Sequence, residues 1–232
     1  MKKKKVFFDL GHGGTDPGAV SNGLQEKNIV LEIGKRINEL MKQYEGVEWK
    51  FSRLDDRTLS LTQRTNMANA WGADLLVSIH INAGGGEGFE SYIYNKDFPG
   101  KAGTVAMQNV VHNAIMKRVK GFFGDRGKKQ ANLHMCRESK MKAILTENGF
   151  IDNVQDAAKL KKGEVLDAIA LGHVEGVAEF LGLKKTQTQT QTKSNGDKLY
   201  RVQVGAFANR ENAERLVKEL KAKGYTAFVK SD

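Results

Sequence analysis

The run "DLLVSIHI", residues 74–81, constrains this chain more than any other stretch. It is nearly continuous in Leu, Ile and Val, so as a strand it has no face to give to water. A strand of that kind belongs in a sheet covered on both faces, and the surrounding sequence alternates accordingly. "KVFFDL" predicts a strand. Ile29, Ile33, Ile37, Leu40, Met41 and Tyr44 recur at helical spacing and predict an amphipathic helix over about 25–44. "VEWKFS" reads as a strand, "LSLTQRTNMANAW" as a helix, "FESYIYN" as a strand, and 104–121 as a helix with Val111, Ile115 and Val119 in register. "NLHMCRE" and "KAILTE" read as two further strands. A helix across 164–181 then carries Val165, Ile169, His173, Val177 and Leu181 on one stripe. The expected class is α/β, a mainly parallel central sheet flanked by helices on both faces, with a small C-terminal βαβ module.

The module is set off by "KKTQTQTQTKSNGD", residues 184–197, which is repetitive, polar and without apolar periodicity, as a flexible linker is. Before it lie residues 1–183, and after it a tail, 198–232, that reads strand, helix, strand. In the tail Ala213, Leu216, Val217 and Leu220 make one helix face, while Tyr200, Val202 and Val204 alternate with Arg201 and Gln203 along the first strand.

Charge narrows the partners. The chain carries a formal charge of +10, which suits nucleic acid, an anionic membrane or an anionic polymer such as bacterial cell wall. Residues 184–232 hold eleven Lys/Arg against five Asp/Glu, so a fifth of the chain carries over half the excess. No interleaved platform of basic and aromatic residues accompanies that charge, which argues against nucleic acid. No stretch approaches the ~20 apolar residues of a membrane span. "MKKKK" is followed by only Val6, Phe7 and Phe8 before Asp9, too short an apolar run for an export signal. The expectation is synthesis in the cytoplasm, with any work outside following lysis or release. The one cysteine, Cys136, can form no intramolecular disulfide and reads as a small buried hydrophobe.

In open α/β sheets, ligands bind beyond the carboxyl ends of the strands. His12 lies just past the first strand, His80 ends the apolar run, and Glu147 ends "KAILTE"; Glu26, at the start of the first helix, lies close to the same edge. Two histidines with one or two carboxylates suit a catalytic zinc, which needs three protein ligands and an open position for water. One carboxylate should stay free, to take a proton from that water and hand it to a leaving nitrogen. His112, His134 and His173 read as structural or surface residues.

The segments "FFDLGHGGTDPGAV", Glu26, "LTQRTNMANAWGADLLVSIHINA" and "ILTENGFIDN" resemble, in order, the motifs of the zinc-dependent N-acetylmuramoyl-L-alanine amidases of the amidase-3 family. The resemblance covers residues 4 to 182. It implies one Zn2+ held by His12, Glu26 and His80, with Glu147 as the catalytic glutamate and Arg137 near the site. The implied reaction cuts the amide between N-acetylmuramic acid and the L-alanine of the stem peptide, whether in a phage endolysin or a bacterial autolysin. Lys142 departs from the pattern, where family members commonly carry proline. The tail's "VQVGAF" is similar to a SPOR-type repeat, a module that binds glycan strands stripped of stem peptides, and implies Gln203 and Phe207 as glycan contacts. Since 35 residues are few for a self-sufficient core, two tails are expected to pair into a homodimer. The rivals are an inactive wall-binding protein and a basic nucleic-acid-binding protein, and neither accounts for the filled set of His12, Glu26, His80 and Glu147.

Overall fold

A computed structural model describes residues 3–186, 204–225 and 227–229, in two compact units, 1–187 and 188–232. In the first unit the order is β1 (Lys4–Leu10), β2 (Val20–Ser21), β3 (Leu24–Gln25), α1 (Glu26–Met41), β4 (Val47–Phe51), α2 (Leu61–Trp71), β5 (Leu75–Asn82), β6 (Phe89–Tyr94), α3 (Lys101–Val119), β7 (Asp125–Ala131), α4 (His134–Arg137), β8 (Lys142–Phe150), α5 (Val154–Leu160) and α6 (Gly163–Leu181). The second unit holds α7 (Arg210–Ala222).

Six strands form one sheet in the order β4-β1-β5-β8-β6-β7. The first four are mutually parallel; β6 runs antiparallel to β8 and parallel to β7. Alternate residues of each strand feed opposite faces. Val6, Phe8, Leu75, Val77, Ile79, Phe89, Ile93 and Ile144 pack with α1, α3 and α6 into the larger core. Phe7, Leu76 and Ala143 face the other way and pack with Ala68 of α2 and Met135 of α4. The apolar run of β5 is thus buried on both sides, and the mainly parallel α/β class holds. On the larger core's side lies His173, whose Nδ1–H donates to the Ile169 carbonyl at 2.8 Å and whose Nε2 accepts from the Thr146 hydroxyl at 2.9 Å. Burial pushes this imidazole down to about 4, so it stays neutral.

The segment expected as the strand "NLHMCRE" is the short helix α4 instead. Its apolar residues Met135 and Cys136 are buried against the sheet, and helix geometry turns both inward within a single turn. Burial pushes the Cys136 thiol up to about 12, so it is an inert hydrophobe. The strand at this edge is β7, "DRGKKQA", which has no apolar pattern because it pairs only with β6. Exposed charge suits an edge strand, since it discourages pairing with another chain. Lys142 opens β8 in regular register with Leu75. Among the described residues no helix is long and apolar enough to cross a membrane.

In the second unit, Asn209 caps α7 by accepting from the Glu211 amide at 2.8 Å. Ala213, Leu216, Val217 and Leu220 are half-buried along one face of the helix, as is Asn212, while Glu211, Glu214, Arg215, Lys218 and Glu219 are exposed. Tyr200, Val202 and Gln203 lie outside the described residues.

Candidate active site

The parallel strands deliver three side chains to one edge. The chain leaves β1 at Leu10 and turns at once, His12 taking a left-handed backbone (φ 59°). Two buried guanidiniums hold that turn. Arg64 donates to the carbonyls of Leu10 and His12, the latter at 2.6 Å, and pairs with buried Asp9 at 3.0 Å. Arg53 donates to the carbonyls of Leu10, Gly11 and Lys27 at 3.1, 2.8 and 2.9 Å. Charge-assisted bonds of this kind are among the stronger ones in a fold, and here they tie the His12 turn to the first turn of α1, where Glu26 sits. The hairpin β2–β3 leads directly into α1 and is tied to the end of β8, the Asn22 amide donating to the Ile151 carbonyl at 2.8 Å.

His12, Glu26 and His80 then converge, with one ligand atom from each lying within 4.8 Å of the others. Glu26 bridges the two rings, Oε2 lying 3.1 Å from His12 Nε2 and Oε1 3.0 Å from His80 Nδ1. Its oxygens also accept from the backbone amides of Ala19 (3.0 Å) and Ile81 (2.9 Å). His12 Nδ1 faces Asp16 Oδ2 at 2.9 Å, which fixes the tautomer and turns Nε2 toward Glu26. Two glycines make the room. A Cβ on Gly11 would lie 2.3–2.7 Å from atoms of the His80 ring, and one on Gly18 would meet His12 and Glu26 at 2.6 and 2.7 Å.

Electrostatics follow from this packing. Burial pushes Glu26 up, but hydrogen bonds from His12 and His80 outweigh it and hold the carboxyl well below the usual range. Burial pulls His80 down, yet Glu26 and Glu147 raise it to about 9. Glu147 is pushed up to about 7 by burial, helped by the charges of Glu26 and Glu90 against the pull of His80. In the β5–β8 ladder Glu147 pairs in register with His80, so both side chains leave the same face of the sheet. Glu147 Oε2 is buried with no hydrogen-bond partner among the described residues. A cluster of two imidazoles and a carboxylate, beside a carboxyl with an unsatisfied oxygen, fits a hydrolytic zinc.

A profile of the N-acetylmuramoyl-L-alanine amidase family matches residues 6–179, and a SPOR-domain profile matches 177–231. The chain belongs to the N-acetylmuramoyl-L-alanine amidase family. The sporulation-specific N-acetylmuramoyl-L-alanine amidase of Bacillus subtilis (strain 168) is 48% identical over 226 residues, 97% of this chain and 84% of that protein. An endolysin of Bacillus phage SPP1 is 48% identical over 184 residues, covering 78% of this chain and 68% of its own. Among solved structures, the N-acetylmuramoyl-L-alanine amidase from Clostridium difficile 630 superposes with a TM-score of 0.73 at 34% identity. The alignment covers 78% of this chain and 98% of that one. The catalytic domain of CwlV, from Bacillus (Paenibacillus) polymyxa var. colistinus, gives 0.72 at 32%, over 78% and 99% of the two chains.

The remaining expected residues of this amidase lie elsewhere. Arg137, on α4, donates to Glu138 and Asn132 at 2.6 and 2.7 Å. With Tyr94, Phe98 and Thr104 it lines a cavity of about 140 Å³ and makes no contact with the His12–Glu26–His80 group. Phe207 is exposed in the second unit, and Gln203 lies outside the described residues. His112 is fully buried between Ser91 (2.9 Å) and Asp125 (3.0 Å), and His134 begins α4 with Nε2 3.4 Å from the Thr65 hydroxyl. Sequence reasoning passed over Asp16, Arg53, Arg64 and Glu90. Asp16, four residues after His12 in the same glycine-rich stretch, offered the readiest signal.

Proposed function

We propose that His12, Glu26 and His80 hold one zinc ion and that Glu147 is the catalytic acid–base group, cutting the amide between N-acetylmuramic acid and the L-alanine of the stem peptide in peptidoglycan. The observation that carries this is the register of β5 against β8, which sets the unpartnered carboxyl of Glu147 beside His80 of the metal-fitting cluster. When bound, zinc supplies Lewis-acid chemistry, polarising the scissile carbonyl and making water acidic enough to attack near neutral pH. The chain's own residues do the rest. His12 and His80, which hold protons in the metal-free cluster, would release them on binding the ion and offer neutral nitrogens, with Glu26 supplying the single charge. Asp16 holds the His12 tautomer, and Arg53 and Arg64 hold the turn. Glu147 takes a proton from the attacking water and passes it to the alanine nitrogen, so the leaving group departs as a neutral amine. Its buried position and unpartnered oxygen leave it free to take and return that proton.

The test pairs metal analysis with turnover of dye-labelled peptidoglycan. Glu147→Gln should retain about one zinc per chain yet lose on the order of 10²–10⁴ in rate, the usual worth of a positioned acid–base group. His80→Ala should lose the metal. Near-normal turnover in Glu147→Gln, or full zinc in His80→Ala, removes that residue from its role. The SPOR-type tail is read as a wall anchor for stripped glycan, with Gln203 and Phe207 as contacts. The SPOR profile match and the concentration of basic charge after residue 184 support this reading.

A further inference from the structure

A second charged group lies across the sheet from the metal cluster. Glu90 is 2% exposed and stands directly opposite Glu147 in the antiparallel β6–β8 ladder, so both carboxylates leave the same face. Its Oε1 accepts from the Asn82 amide and the Tyr92 hydroxyl, each at 2.7 Å. Its Oε2 accepts from Arg126 Nε at 2.8 Å and from Lys129 Nζ. Both cations stand on the edge strand β7 with side chains 36% and 37% exposed. Each is also braced by an aromatic ring, Arg126 at 4.8 Å from the Phe150 centroid and Lys129 at 5.9 Å from that of Tyr92.

Glu90 takes two cations as well as two neutral donors. Glu147, opposite it, forms no ion pair with either cation among the described residues, and both cations are fixed in place where a surface lysine or arginine is ordinarily free to move. Donors remain for a ligand. Arg126 spends Nε on Glu90 and one terminal nitrogen on the Glu87 carbonyl at 3.4 Å, and its other terminal nitrogen has no partner among the described residues. Lys129 spends one of its three N–H groups on Glu90.

We propose that Arg126 and Lys129 form a recognition site for a carboxylate on the stem peptide, one or two residues beyond the scissile nitrogen. The inference rests on the reading that Glu147 works at the scissile amide. Reach supports it, because β7 lies two strands from β8 and neighbouring strands are ~4.8 Å apart, a gap of roughly 10 Å. An extended peptide advances ~3.3–3.6 Å per residue, so two residues and a side chain span that gap. A carboxylate fits better than a sugar, because the rings of Phe150 and Tyr92 are already covered by the two cations and the open groups are charged donors in a fork.

The experiment uses the zinc-loaded full chain and two preparations of dye-labelled peptidoglycan, one with stem carboxylates free and one with them capped as carboxamides. The unmodified protein should cut the free form faster by about tenfold in kcat/KM, mostly through KM, the scale of a charge-assisted hydrogen bond. In Arg126→Gln and Lys129→Gln that preference should fall to about threefold or less, and high salt should narrow it in the unmodified protein. Lys129→Gln leaves Arg126 on Glu90, so a folding defect in the arginine variant does not decide the matter. Zinc content and circular dichroism report whether each variant is folded. Equal cutting of both preparations by the unmodified protein overturns the carboxylate site alone. Failure to cut either preparation overturns the amidase reading and this proposal with it.

Discussion

Replacing Glu147 by glutamine in the metal-free protein isolates the cost of one buried carboxylate. Burial, with the charges of Glu26 and Glu90, pushes this carboxyl from an ordinary 4.5 up to about 7. The folded protein therefore holds the proton more tightly than the unfolded chain does. That contribution to stability is fully present below pH 4.5 and is lost as pH rises through about 7. The gap, at about 1.4 kcal/mol per pH unit, amounts to about 3 kcal/mol. Glutamine has the shape of the protonated acid and no charge to acquire. Ionisable groups away from the site are common to the two proteins and cancel in their difference, whereas His80, which the Glu147 charge raises, loses that pull in the variant and trims the gap. Thermal melts followed by circular dichroism in excess chelator should thus give nearly equal midpoints near pH 5. Near pH 8.5 the Glu147→Gln protein should be more stable by up to about 3 kcal/mol, on the order of 6–12 °C for a body of this size. A midpoint difference that is the same at both pH values would falsify the assignment of a buried, destabilised carboxylate to this position.

Two further outcomes follow from the site and the tail. Asp16→Ala removes the partner of His12 Nδ1 and should weaken zinc binding by roughly 10–100-fold in chelator competition, with the far-ultraviolet spectrum unchanged; unaltered affinity would mean that the ring is held by packing alone. If two tails complete one module, static light scattering should report a dimer for the full chain and a monomer after truncation near residue 184, while a full-length monomer at tens of micromolar rules the pairing out.

The fold was legible wherever burial wrote itself into composition. β5 is apolar on both faces because both faces are covered, and α1 and α6 carry stripes because each packs one side on the sheet. The edge is where legibility ends. β7 exists through its ladder with β6, and a partner on another strand leaves no apolar period in "DRGKKQA". α4 failed for the opposite reason. Its apolar stretch, around Met135 and Cys136, is too short for periodicity to separate helix from strand. Only contact with Ala143 and Ala68 decides the matter, and that contact depends on where β8 and α2 already lie.

At the site the division is the same. His12, His80 and Glu147 could be read because each stands at a strand's end, and the carboxyl edge of a mainly parallel sheet gathers such ends by construction. Glu26 followed from the start of α1. What could not be read is set by register between distant segments. Arg64 reaches the His12 carbonyl across 52 residues, and Arg126 reaches Glu90 across 36. A lone arginine on an amphipathic helix or a charged strand looks like solvated surface until the sheet brings a carbonyl or carboxylate beneath it. Glu90 is the sharpest case. In "FESYIY" it reads as the outward residue of an alternating strand, and β6 does turn it away from the larger core. On that second face Arg126, Lys129, Asn82 and Tyr92 all reach its carboxylate, so the position that looks solvent-facing becomes a buried anion opposite Glu147. His80, Glu90 and Glu147 thus share the smaller-core face of β5, β6 and β8, and the apolar residues between them hold those three positions in register.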